Sequence, residues 1–157
     1  MSLPANAAAH ANLGYALIHA GRDTEALAAL DDAIVLAPGH AQAHNNRGIA
    51  LARLRRGAEA IAAFERALAL DPRSMEAAQN LGEQLNAAGD GVRAAVAFDR
   101  VLAVQPQNAS AASGRAFAQA LQGDVAGAEA RLVALTQANP QHAPAWQTLG
   151  AVRQWAW

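Results

Sequence analysis

The sequence predicts an all-α protein built from short antiparallel helix pairs. Alanine, the strongest helix former, occupies 45 of the 157 positions, whereas only seven residues are aromatic. Residues that favour strands are sparse, so a β-sandwich or barrel is close to excluded. Five of the six prolines lie 34 residues apart, which indicates an internal repeat, and these are Pro4, Pro38, Pro72, Pro106 and Pro140.

Other positions follow the same 34-residue register. An alanine recurs at Ala26, Ala60, Ala94 and Ala128, and a large apolar residue follows it four places later as Leu30, Phe64, Phe98 or Leu132. A glycine recurs at Gly14, Gly48, Gly82 and Gly150, and Ala116 takes its place in the fourth repeat. The register predicts repeats at 7–40, 41–74, 75–108 and 109–142, then a closing first helix at 143–157. Residues 1–3 are interpreted as an expression scar.

Each repeat predicts two amphipathic helices, because apolar residues recur with helical spacing on two separate segments. A glycine between the two helices is expected to adopt the left-handed conformation that ends a helix, at Gly21, Gly57, Gly89 and Gly123. The proline stops the second helix. Ser74 and Asn108 are predicted to cap the helices that follow, with His40 and His142 as poorer caps.

The places of these residues resemble the tetratricopeptide repeat family, whose signature carries Leu-Gly on the first helix and Ala, Phe and Pro on and after the second. The resemblance covers nearly the whole chain. It implies a right-handed α-α superhelix of stacked helix pairs, in which the small glycine places let neighbouring helices approach closely. The family's leading tryptophan survives only as Trp146, which is expected to be buried; His10, His44, Ala78 and Ala112 hold the equivalent places.

The resemblance also implies a groove, lined by the first helices, that grips an extended peptide or a partner's helix. Asn12, Asn46 and Asn80 are 34 residues apart and are predicted to form a row at equivalent heights. An amide donates and accepts, so such a row could bind a peptide backbone; a structural role for the asparagines is the open alternative. The candidate groove residues are Asn12, Tyr15, His19, Asn45, Asn46, Ile49, Arg53, Gln79, Asn80, Glu83, Asn86 and Phe117.

Enzyme chemistry has little support in the sequence. The chain has no cysteine and no glycine-rich phosphate loop, and Gly89-Asp90-Gly91 falls at a predicted turn. His40 and His44 have the i,i+4 spacing of metal ligands but no third ligand on the same face. We therefore expect no catalytic residue, no metal and no cofactor.

The expected partner is a protein or peptide. A net charge of −1 without any lysine argues against nucleic acid, and no apolar run approaches the roughly 18 residues that span a bilayer, so no membrane insertion is expected. Two alternatives stay open: an accessory module of a larger enzyme, such as a glycosyltransferase, hydroxylase or sulfotransferase, or a solenoid that self-associates through Trp155 and Trp157. The expected location is cytoplasmic, or periplasmic if a native leader has been removed.

Overall fold

The computed structural model describes residues 3–155, with side chains from residue 6 onward, and this part of the chain is entirely helical. The first helix of each repeat begins where the register predicts it, at residues 41, 75, 109 and 143. The nine helices of the described residues are α1 (Leu3–His19), α2 (Asp23–Leu36), α3 (Ala41–Arg53), α4 (Gly57–Leu70), α5 (Met75–Ala87), α6 (Gly91–Val104), α7 (Ala109–Leu121), α8 (Val125–Ala138) and α9 (Ala143–Trp155).

The helices pack in two compact units, residues 1–80 and 81–157. In the first unit, α1 packs on α2, α2 on α3 and α3 on α4, and the first helices α1 and α3 also touch. The second unit repeats this arrangement: α6 packs on α7, α7 on α8 and α8 on α9, with α7 and α9 in contact. Each unit is therefore an all-α stack of antiparallel helix pairs, as the register predicts.

The recurring glycine of each first helix receives a large side chain from the second helix of the same repeat, and we call this place the glycine socket. A Cβ added at Gly48 would lie 2.5 Å from the Phe64 ring, and one added at Gly82 would lie 2.8 Å from the Phe98 ring. Carbon atoms normally approach to about 3.5–4.0 Å, so neither socket has room for a side chain. The predicted close approach at these glycines is confirmed.

Ion pairs tie two of the first helices to the second helix that precedes them. Arg47 Nε donates to Asp31 Oδ1 at 2.6 Å in the first unit, and Arg115 Nε donates to Asp99 Oδ1 at 2.8 Å in the second. Both arginines stand where the other repeats have leucine. Because both pairs are partly exposed, they orient the helices more than they stabilise the fold.

The turn inside three of the repeats contains the expected left-handed glycine, at Gly21, Gly89 and Gly123. The prediction for Gly57 is wrong. Gly57 is the first residue of α4, and the left-handed place belongs to Arg55, with φ 63°. Arg55 lies 34 residues after Gly21, so the repeat geometry imposes this conformation on a residue with a Cβ.

The helix caps follow the sequence. Ser74 Oγ accepts a hydrogen bond from the Ala77 N–H at 3.2 Å, and Asn108 Oδ1 accepts one from Ala111 at 2.9 Å. His40 also caps its helix, because its Nδ1 lies 3.3 Å from the N–H of Ala43. This contact occupies one of the two histidines that had the spacing of metal ligands.

Trp146 is half exposed, so the prediction that it is buried is wrong. Its indole Nε1 donates to the Pro140 carbonyl at 3.0 Å, and His44 Nε2, at the equivalent place, lies 2.9 Å from the Pro38 carbonyl. The ring nitrogen at this place therefore contacts the preceding turn. Among the described residues no second helix follows α9, so nothing covers the outer face of the indole.

Candidate functional site

The candidate site is the surface on which the first helices lie side by side, and we call it the first-helix face. In the first unit it is formed by α1, α3 and the beginning of α5. In the second unit it is formed by the rest of α5 with α7 and α9. The helices of this face are joined by polar links that the sequence analysis had assigned in part to ligand binding.

The polar links join side chains of adjacent first helices. Asn80 Nδ2 donates to Asn45 Oδ1 at 3.1 Å, and Asn45 Nδ2 donates to Glu76 Oε1 at 2.9 Å. In the second unit Ser113 Oγ donates to Thr148 Oγ1 at 2.9 Å. The Asn80–Asn45 and Thr148–Ser113 pairs are both 35 residues apart, so they are the same link in two repeats. A search for polar pairs at this spacing would have found them.

The predicted row of three equivalent asparagines is wrong, because the three side chains have different surroundings. Asn12 is exposed, Asn80 is half-buried, and Asn46 is 3% exposed with Oδ1 accepting from Gln42 Nε2 at 3.1 Å. Asn80 bonds back to Asn45 on the preceding first helix. The equivalent partner for Asn46 is Ala11, which has no polar side chain, so Asn46 bonds within its own helix.

Asn45 is 1% exposed, so its amide does not line an open groove. The same burial removes Asn46 from the accessible surface. Both residues hold the first helices in place, which is the structural role that the sequence left open. Contact between a peptide and the exposed candidates stays a prediction.

The accessible part of the face in the first unit is aromatic and basic. Tyr15, 52% exposed, and the exposed His19 lie one turn apart on α1 with ring centroids 4.4 Å apart in an edge-to-face arrangement. Arg53 on α3 donates from NH1 to the carbonyl of Ile18 at 2.5 Å and lies 3.4 Å from Asp23 Oδ1. Tyr15, His19 and Arg53 therefore lie together, and we call them the aromatic-basic patch.

The remaining candidates of this unit lie close in sequence to these residues or to the polar links. Ile49 is half-buried one turn before Arg53, and Gln79 is half-buried next to Asn80. Ile49 therefore adds apolar surface on α3. Gln79 makes an intramolecular interaction, as does the exposed Glu83 in the second unit.

The second unit contains a second aromatic pair on the face. The rings of Phe117 and Trp155 are 5.0 Å apart and tilted by 48°, and Trp155 is 47% exposed. Asn86 Nδ2 donates to the Gly114 carbonyl at 2.8 Å, which joins α5 to α7. The sequence analysis missed the contact of Trp155 with Phe117 and treated Trp155 only as a surface for self-association. Trp157, its companion in that prediction, lies outside the described residues.

No group of three or more His, Cys, Asp or Glu side chains is placed to hold a metal ion within the described part of the chain. His40 and His44 are each accounted for by a backbone contact. None of the described helices is long and apolar enough to cross a bilayer. The chemistry that the face offers is therefore aromatic contact, hydrogen bonding and the positive charge of Arg53.

Stacked two-helix repeats with glycine sockets and a face made of first helices define a helical-repeat scaffold. Two family models, both described as tetratricopeptide repeat, match the chain: one matches residues 1–41, 24–74 and 45–108, and the other residues 85–152. The chain belongs to the tetratricopeptide repeat (TPR) family. No curated protein matches it at a significant level.

Solved structures agree with the fold. The chain is similar to a TPR protein from Parabacteroides merdae, with a TM-score of 0.85 and 21% identity over 95% of this chain and 58% of that one. It is similar to YrrB, a TPR protein described as having an unusual peptide-binding site, with a TM-score of 0.79 and 22% identity over 94% of this chain and 76% of that one.

An O-GlcNAc transferase mutant from Thermobaculum terrenum also matches, with a TM-score of 0.76 and 21% identity over 87% of this chain and 27% of that one. At these identities the likenesses show the fold alone. The chain spans 58% of the length of the Parabacteroides protein, so the activity of a longer relative does not transfer to it.

Proposed function

We propose that this chain is a non-catalytic scaffold that binds a protein or peptide partner on its first-helix face. The TPR fold is of the protein-binding and peptide-binding scaffold type. The observation that carries the proposal for this chain is the aromatic-basic patch. Two accessible rings lie beside a guanidinium whose position is fixed by the Ile18 carbonyl, while the neighbouring amides of α3 are buried in contacts between and within helices.

The patch favours an extended peptide with an apolar or aromatic side chain and a nearby acceptor. Tyr15 and His19 offer an edge-to-face pair on which another ring or a proline can pack. Arg53 can donate to a carboxylate or to a peptide carbonyl, and charge assistance strengthens such a bond. In this proposal Asn45 and Asn80 act indirectly, since their hydrogen bond fixes the spacing of α3 and α5.

A second candidate function is that of an accessory module in a larger enzyme. The similarity to part of the Thermobaculum transferase supports it, because the alignment covers 27% of that protein. In that setting the first-helix face would select protein substrates for a catalytic domain. A catalytic domain encoded in the same reading frame would decide in favour of this candidate, and the binding experiment below applies to both.

The test is peptide selection on the whole chain followed by affinity measurement. Peptides selected from a random display library are measured against the parent and against the double variant Tyr15→Ala, His19→Ala. Both side chains are exposed, so the variant should stay folded by circular dichroism, and affinity should fall about tenfold or more. Val35→Ser, at an exposed position of α2, is the matched control and should bind as the parent does. Equal affinity of the double variant would refute the role of the patch.

A further inference from the structure

The fifth first helix, α9, exposes a face that the earlier first helices bury against a second helix. No heavy atom of the described residues lies within 4 Å of a Cβ added at Gly150, apart from the helix's own backbone and the adjoining residues. At Gly14, Gly48 and Gly82 the same Cβ would lie 2.5–2.8 Å from a side chain of the following second helix. Gly150 is therefore an empty glycine socket.

The surroundings of Gly150 extend this open surface. Trp146, one turn earlier, is half exposed. Arg153, one turn later, donates to Glu129 Oε1 on α8 at 2.8 Å, whereas Leu51 and Leu85 are buried at the equivalent place. Glu129 also lines an open, mainly apolar groove along α8, whose other lining residues are Ala126, Ala130, Val133, Ala134 and Gln137. The socket and the groove thus meet at the Arg153–Glu129 pair, and we call them together the open socket.

We propose that the open socket docks an amphipathic α-helix from a partner protein. The chemistry of this helix follows from the packing already present in the fold, where α4 covers Gly48 and α6 covers Gly82. Each of those helices has an alanine followed four residues later by Phe64 or Phe98, and the ring enters the socket. The partner helix should have the same pattern, Ala-x-x-x-Phe or Ala-x-x-x-Leu, with polar residues facing the Arg153–Glu129 pair.

A second copy of this chain is a poorer occupant. The side chains that enter sockets in this protein, Leu30, Phe64 and Phe98, are all buried, as is Leu132 at the same register place on α8. A second copy could offer one of these helices only by opening its own core. The proposal also does not depend on the proposed function, because the open socket is formed by α8 and by the face of α9 that carries Gly150, and it contains none of Tyr15, His19 and Arg53.

The probe is a labelled peptide with the sequence of α4, residues 57–70, which carries Ala60 and Phe64. Because a free helix of this length is marginal in water, the peptide is stapled between Ala62 and Arg66, two positions exposed in the fold. Fluorescence anisotropy with the full chain should show saturable binding. Phe64→Ala in the peptide should weaken binding at least tenfold, because the side chain that fills the socket is removed.

The protein variant is Gly150→Gln, with Gly39→Gln as its matched control. A Cβ at Gly150 would meet the incoming ring at the distances seen in the filled sockets, so peptide affinity should fall at least tenfold while helicity is unchanged. Gly39 also has nothing within 4 Å of its Cβ, and its variant should bind as the parent does. The proposal is overturned if the peptide does not bind, or if it binds Gly150→Gln as tightly as the parent.

Light scattering on the chain without peptide gives a third readout. A monomer at all concentrations agrees with the proposal. A concentration-dependent dimer that Gly150→Gln abolishes would assign the open socket to a second copy and would overturn the proposal of a partner helix.

Discussion

Gly48 and Gly150 occupy the same place in the repeat, yet they should respond in opposite ways to the same substitution. Gly48 lies in the interior of α3 with its socket filled by Phe64, whereas Gly150 lies in the interior of α9 with an empty socket. Gly48→Ala and Gly150→Ala therefore form a matched pair. The change in helix propensity is the same in both, so the difference in unfolding free energy reports the socket.

The magnitude follows from the distances. Alanine is about 1 kcal/mol more favourable than glycine inside a helix. At Gly48 the new Cβ would lie 2.5 Å from Phe64 Cε1 and 2.7 Å from Cδ1, so the buried ring would have to move by about 1 Å to restore normal contact. Overpacking of this kind costs about 1–3 kcal/mol. Gly48→Ala should be neutral to about 2 kcal/mol destabilising, and Gly150→Ala about 1 kcal/mol stabilising.

Urea and thermal unfolding of the two variants and the parent test this difference. For a chain of this size a change of 1 kcal/mol moves the Tm by about 2–4 °C, which is readily measured by circular dichroism. We expect the melting temperature of Gly150→Ala to exceed that of Gly48→Ala. If Gly48→Ala stabilises the chain as much as Gly150→Ala does, the socket does not constrain the first helix and the packing role given to these glycines is wrong.

Three further changes have defined outcomes. Arg55→Gly should stabilise the chain by about 1 kcal/mol in urea unfolding, because Arg55 holds a left-handed φ of 63°; an unchanged midpoint would show that the turn is not strained. Ala112→Trp should fill a groove of 200 Å³ and raise stability by about 0.5–2 kcal/mol, with the indole donating to the Pro106 carbonyl in a crystal structure; a lower Tm would contradict this. Hydrogen bonds from Gln119 and from a backbone N–H lower the pKa of Asp124, so its stabilising effect is complete above the unfolded value of about 3.9 and is lost as the pH falls through the folded value. Asp124→Asn should therefore lose less stability than the parent between pH 5 and pH 2 in acid unfolding, and equal losses would argue against this assignment.

The candidate site was predicted less well than the fold. Tyr15, His19 and Arg53 were identified as candidates because the register places them on the first helices, and the structure brings them together. Asn45 was placed in the groove as well, but it is buried between α3 and α5. Helical spacing gives the side of a helix on which a residue lies. It does not give the distance to the next helix, which decides whether that side is open.

The contact between Trp155 and Phe117 illustrates the same limit. The two residues lie on different first helices, and no local pattern in the sequence connects them. Their stacking depends on how α7 and α9 pack, which the polar link between Ser113 and Thr148 helps to fix. Only the folded chain shows that Trp155 belongs to the first-helix face.

The sequence by itself determined the repeat length, the order of the helices and the positions where helices approach closely. These features depend on backbone preferences and on periodic apolar residues, which are local properties. The tertiary structure decided how equivalent positions differ: Asn80 bonds to Asn45 while Asn46 bonds to Gln42, and Gly48 is filled while Gly150 is empty. The physical reason is that each repeat is completed by its neighbours, so the environment of a residue depends on the side chains of the adjacent helix as much as on its own place in the register.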